Sequence, residues 1–131
     1  MRTILLVDDD QSFAYSAAKA ITEAGFKVVM AHEFSEALRV LENDRIDLLL
    51  VDIRMPGQPH GFALARMARR RVPTLPIVYV TSYPEMTEPE RETALGQIVL
   101  KSRGMEVLIG EIRNAIPVSY THLTLPTILR V

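Results

Sequence analysis

The chain has 131 residues, 48% of them apolar and 24% charged, with 15 Lys plus Arg against 16 Asp plus Glu. That size fits one globular domain, and the near-balanced charge argues against a broad cationic surface for nucleic acid or anionic lipid. The lack of cysteine excludes a disulfide scaffold, thiol catalysis and cysteine-ligated zinc.

The first predicted element is a strand, Thr3–Val7, which runs directly into Asp8-Asp9-Asp10. A helix over 12–24 follows, with Phe13, Ala17, Ala20 and Ala24 at helical steps and Gly25 placed for a left-handed C-cap. Asp10 stands where its N-cap belongs. The second strand, Lys27–Ala31, ends at His32, which offers little chemistry. A helix over 35–43 carries Ala37, Leu38 and Leu41, and a strand over 46–51 then ends at Asp52. The helix over 61–70 carries Phe62, Leu64, Ala65 and Ala68 and closes in Arg69-Arg70-Arg71, which suits the negative end of a helix dipole. With Arg66, these arginines are expected to form a solvated helix end. The fourth strand, 76–80, leads into Thr81 and Ser82. The helix over 86–95 is weak, because Pro89 fits without cost only in a first turn. The fifth strand, Gln97–Leu100, is followed by Lys101 and by a helix over 106–116 that Pro117 ends. No apolar run approaches the ~20 residues of a membrane span, and the start of the chain has no signal-peptide layout.

Five βα units with strands apolar on both faces predict a doubly wound α/β fold. Its five-stranded sheet would be mostly parallel, with helices on both faces. In such sheets the crevice lies at the strand carboxyl ends, at a topological switch point. Asp8, Asp9, Asp52, Thr81 and Lys101 would meet there. Carboxylates packed this closely repel by about 4 kcal/mol per pair at ~4 Å and an effective dielectric of ~20. An all-oxygen donor set favours a hard cation such as Mg²⁺. A carboxylate beside Mg²⁺ and a lysine is a chemically sound phosphoryl acceptor. Each residue alone has a blander role as a cap, turn or surface charge; their joint placement at successive strand ends carries the signal. No Gly-rich dinucleotide or P-loop signature is present.

Ile4-Leu5-Leu6-Val7-Asp8-Asp9-Asp10, Val51-Asp52-Ile53-Arg54-Met55-Pro56, Val80-Thr81-Ser82 and Leu100-Lys101 together resemble the receiver domain of two-component response regulators, over residues 3–116. The resemblance implies a flavodoxin-like (βα)5 fold and a cytoplasmic signalling domain rather than an ordinary enzyme. It implies phosphorylation by a histidine kinase or histidine phosphotransferase, with Mg²⁺ as cofactor and no nucleic-acid or membrane contact through this domain. Asp52 would be the phosphoacceptor and a metal ligand. Asp9 would bind the metal directly, Asp8 through water, and Arg54 through its backbone carbonyl. Thr81 would hydrogen-bond the phosphate and Lys101 would pair with one of its oxygens. The family docks its kinase on the first helix, where Ala14, Tyr15 and Ala18 are expected to form an exposed apolar stripe.

Four departures from the family pattern stand out. The glycine that opens the third helix is Gly61, one residue late, so the loop through Gln58-Pro59-His60 is longer. Ser102 replaces the proline that usually follows the lysine, so a trans peptide is expected there. Ile98 replaces the aromatic residue of the usual switch. Pro84 and Pro89 weaken the fourth helix and with it the usual dimer face. The domain is expected to occupy 1–116. Residues 117–131 are expected to be a non-native or disordered tail, since Val118–Thr127 resembles translated sequencing-adapter read-through, and an output domain could be missing. Two rival readings are an interaction module of receiver shape that signals without phosphorylation, and an aspartyl phosphohydrolase. The phosphohydrolase would want a carboxylate where Arg54 stands.

Overall fold

The computed structural model describes residues 1–55, 61–84 and 94–117. In chain order these form β1 (Thr3–Val7), α1 (Gln11–Glu23), β2 (Lys27–Ala31), α2 (Phe34–Asn43), β3 (Leu48–Asp52), α3 (Gly61–Arg71), β4 (Ile77–Thr81), β5 (Gln97–Leu100), a 3-10 turn (Lys101–Arg103) and α4 (Met105–Ala115). All strand pairings are parallel, in the order β2-β1-β3-β4-β5. The helix expected over 86–95 falls on residues mostly outside the described set, as do Gln58-Pro59-His60 and the tail from Val118. α4 is therefore the last of the helices expected from sequence.

Period-two alternation along the strands builds two cores, one on each face of the sheet. Leu5, Val7, Leu49, Val51, Ile77 and Tyr79 pack against α2 and α3 through Ala37, Leu41, Phe62, Leu64, Ala65 and Ala68. Ile4, Leu6, Leu48, Leu50, Val78 and Val80 pack against α1 and α4 through Ala14, Ala17, Ile21, Leu108 and Ile112. The three central strands are almost wholly buried, which is why they read as continuous Val/Ile/Leu runs. No described helix is long and apolar enough to cross a membrane.

Several expectations need correction. β3 begins at Leu48, two residues later than expected, because Asp47 is engaged with the start of β1. Its N–H donates to the Thr3 carbonyl, and its carboxylate accepts from the Thr3 N–H, each at 2.8 Å. β3 and β4 each run one residue further than read, so Asp52 and Thr81 are the last strand residues rather than the first of a loop. Ala14 is buried and not part of an exposed stripe. α1 presents Ala14, Ala17 and Ile21 to the sheet, and Tyr15 stays 61% exposed. Arg69 is not simply solvated: it donates from Nε to the Leu75 carbonyl and from a terminal nitrogen to the Leu95 carbonyl. The Leu95 N–H donates to the buried Tyr79 hydroxyl, so both polar groups of this residue are held just before β5 begins.

Candidate functional site at the strand ends

The sheet register sets the site. Val7 pairs with Val51, so Asp8 leaves β1 beside Asp52 at the end of β3. Thr81 pairs with Leu100, so Lys101 follows next to the end of β4. Because β1 lies between β2 and β3, successive connections leave it in opposite directions. The crevice at that switch point is where the acidic residues gather.

One carboxylate oxygen each from Asp8, Asp9 and Asp52 lie within 4.8 Å of one another. Asp8 and Thr81 are fully buried and Asp52 nearly so, whereas Asp9 is exposed. The Lys101 ammonium stands 2.7 Å from Asp8 Oδ2 and 3.5 Å from Asp52 Oδ2. Asp8 Oδ1 accepts the Asp10 N–H at 2.9 Å, and Asp52 Oδ1 accepts the Arg54 N–H at 3.4 Å. The Thr81 hydroxyl accepts the Tyr83 N–H at 3.1 Å. The Lys101–Ser102 peptide is trans, as are all others described. The Lys101 side chain nonetheless reaches both carboxylates.

Electrostatics follow from this packing. Burial pushes the Asp52 carboxyl up from an ordinary 3.8 to about 7. Asp8 adds to the rise, while Lys101 and the Arg54 N–H oppose it. Burial alone would lower the Lys101 ammonium, but the hydrogen bond to Asp8 and the charges of Asp52, Asp8 and Asp10 outweigh that. They hold it above the usual lysine range. The site is therefore short of positive charge. Among the described residues, no donor apart from the lysine reaches Asp8 Oδ2. A buried all-oxygen cluster with an exposed carboxylate at its mouth fits a hard divalent cation.

Gly61 is needed where it stands. A Cβ there would overlap the Asp52 carbonyl oxygen, and its N–H donates to the Ile53 carbonyl at 2.8 Å. Despite the longer loop, the backbone of α3 thus closes directly onto the end of β3.

Three neighbours of the cluster escaped the sequence reading. The His32 ring nitrogen Nδ1 lies 3.1 Å from the Asp8 carbonyl. The Arg54 guanidinium sits 4.7 Å from the centre of the Tyr83 ring, and the Lys101 ammonium 4.5 Å from the centre of the Phe13 ring. For Phe13 a signal existed, because its place three residues after the Asp10 N-cap turns it toward the strand ends. An open depression of about 530 Å³ lies at the opposite end of the sheet, lined by Met1, Arg2, Thr3, Arg45 and Asp47, and contains none of these residues.

This parallel sheet, with its acidic cluster, terminal hydroxyl and inward lysine, defines an α/β signalling domain of the phosphoacceptor class. Residues 4–113 match the response regulator receiver domain, and the chain belongs to that family. It is 30% identical over 115 residues to the CAI-1 autoinducer sensor kinase/phosphatase CqsS of Vibrio cholerae, covering 85% of this chain and 17% of that protein. It is 36% identical over 81 residues to the DNA-binding transcriptional regulator NtrC of Klebsiella pneumoniae, covering 62% of this chain and 17% of that protein. The chain thus spans under a fifth of the length of either relative. Among solved structures, the response regulator TrrA of Thermotoga maritima, in complex with Mg²⁺-BeF, superposes with a TM-score of 0.81 at 26% identity, covering 88% of this chain and all of that one. Residues 4–113 thus form a receiver domain of two-component signalling, and the family is one of signalling domains.

Proposed function

We propose that Asp52 is the phosphoacceptor of this receiver domain. The observation that carries the proposal is the Lys101 ammonium set between Asp8 and Asp52 at the mouth of a three-carboxylate cluster. An Asp52 carboxylate oxygen attacks the phosphorus of the donor. The new O–P bond forms as the bond from phosphorus to the leaving group breaks, and the electron pair departs with that group. Asp52 must be ionised to attack, and its carboxyl sits near 7, so neighbouring positive charge is required at neutral pH. Lys101 supplies part of it and lies where it can pair with a phosphoryl oxygen. Thr81, fully buried at the end of β4, offers its hydroxyl to the same group and joins it to Tyr83 in the following loop. That link gives phosphorylation a differential contact through which to shift the domain between two states.

Asp9 and Asp52, with the Arg54 carbonyl, would hold Mg²⁺ directly, and Asp8 through water. The bound cation would offset the negative charge that gathers on the transferred group. The natural donor is a phosphohistidine on a histidine kinase or phosphotransferase, with the exposed Tyr15 on α1 part of the docking face. The domain works in the cytoplasm, and its boundary falls near residue 116.

Incubation with a small-molecule phosphodonor and Mg²⁺, followed by intact-mass measurement, tests the proposal. Wild-type protein should gain one phosphoryl group, and chelating the metal should remove the gain. Asp9→Asn should slow phosphorylation about tenfold or more and leave the residual rate insensitive to chelator. An Asp9→Asn protein with wild-type rate and wild-type metal dependence would remove Asp9 from the ligand set.

A further inference from the structure

We propose that Phe13 and Asp10 are positioning residues that aim the Lys101 ammonium at the carboxylate pair. The inference rests on the reading of Lys101 as the lysine that meets the phosphoryl group. It starts from a closed circuit of four contacts. Asp8 Oδ1 accepts the Asp10 N–H at 2.9 Å. Asp10 Oδ1 accepts the Phe13 N–H at 3.2 Å as the N-cap of α1. The Phe13 ring centre lies 4.5 Å from the Lys101 ammonium. The ammonium returns to Asp8 Oδ2 at 2.7 Å.

Lys101 has need of such support. It opens a 3-10 turn of three residues whose N-cap makes no side-chain hydrogen bond. The lysine side chain is a flexible four-carbon stem, so its ammonium is placed by the groups it meets. The ammonium lies 2.7 Å from Asp8 and 3.5 Å from Asp52, so a small displacement decides whether it reaches the acceptor. The ring occupies a side of the ammonium that water would otherwise cover, and the lysine side chain is only 11% exposed. An aromatic face is one of the few surfaces that can exclude water from a cation while still attracting it. Because the cap bond fixes the first turn of α1, Asp10 sets where that face points. A residue that looks like an ordinary helix cap thus reaches the acceptor through Phe13.

The test uses the full chain and two readouts. In the metal-free protein, NMR of the Lys101 ε-methylene protons should show upfield ring-current shifts. These should vanish in Phe13→Leu, persist in Phe13→Tyr, weaken in Asp10→Ala and persist in Asp10→Asn, which can still cap. With Mg²⁺ and a small phosphodonor, Phe13→Leu should phosphorylate roughly five- to tenfold more slowly, and Phe13→Tyr should restore the rate. Asp10→Ala should show a smaller loss that Asp10→Asn repairs. A merely structural role would lower thermal stability in Phe13→Leu without this pattern of rescue. A wild-type phosphorylation rate in Phe13→Leu, or wild-type shifts and rate in Asp10→Ala, would overturn the inference. Should Phe13→Leu fail to fold, the Asp10 pair decides alone. The shifts need no phosphorylation, so they separate this inference from the acceptor assignment: phosphorylation that survives in Asp52→Asn removes that assignment and leaves the ring contact to be judged by NMR.

Discussion

Asp52→Asn should raise the melting temperature of the metal-free protein at pH 8 by about 5–10 °C, corresponding to about 2 kcal/mol. The cause is the burial of Asp52 beside Asp8, which lifts its carboxyl from 3.8 to about 7 in the folded state. A raised carboxyl favours folding only where the group is protonated. Its contribution is fully present below pH 4 and is lost as pH rises through 7. Above 7 the folded protein carries a buried charge that Lys101 and the Arg54 N–H offset only in part. Asparagine removes that charge at nearly constant shape. The gain from the substitution should therefore shrink steadily as pH falls from 8 toward 4. Mg²⁺ should stabilise the wild type and have much less effect on the variant. Thermal melts across that range, with and without metal, check the claim. An equal gain at pH 5 and pH 8 would contradict it.

A second large effect is expected at two glycines that differ in what they lie against. A Cβ on Gly61 would overlap the Asp52 carbonyl oxygen, and one on Gly96 would overlap the Ile77 carbonyl oxygen. Backbone cannot move aside as a flexible side chain can. Each alanine substitution should therefore cost about 3 kcal/mol and lower the melting temperature by about 10 °C. The functional outcomes should diverge. Gly61→Ala displaces the end of β3 and should impair phosphorylation of the protein that remains folded. Gly96→Ala acts at the far end of β4 and should leave the rate per folded molecule close to wild type. Rates normalised to the folded fraction distinguish the two. Equal loss in both would mean that Gly61 has no special tie to the acceptor.

The strand framework was legible because burial on both faces writes long apolar runs, and because each run stops at a residue with chemistry. Asp8, Asp52, Thr81 and Lys101 could be placed together without coordinates, since parallel strands in register bring their ends level. The phase of α1 was harder to read. Alanine is compatible with either side of a helix, and α1 holds several, so spacing alone did not separate the buried Ala14 from the exposed Tyr15. The start of β3 was misplaced because Asp47 spends its backbone and side chain on Thr3, a long-range contact without a local signature. Arg69 read as one of several solvated arginines, and only the return of the chain at Leu95 gives it partners. Spacing after the Asp10 cap places Phe13 toward the strand ends, but its contact with Lys101, like that of Tyr83 with Arg54, also depends on side-chain direction.

The identity of the acceptor is tested most directly by intact-mass measurement of wild type and Asp52→Asn after identical exposure to phosphodonor and Mg²⁺. Wild type should gain a single phosphoryl group, and Asp52→Asn, shown by its melt to be folded, should gain none. A phosphoryl group on Asp52→Asn at wild-type yield would place the acceptor elsewhere and contradict the assignment.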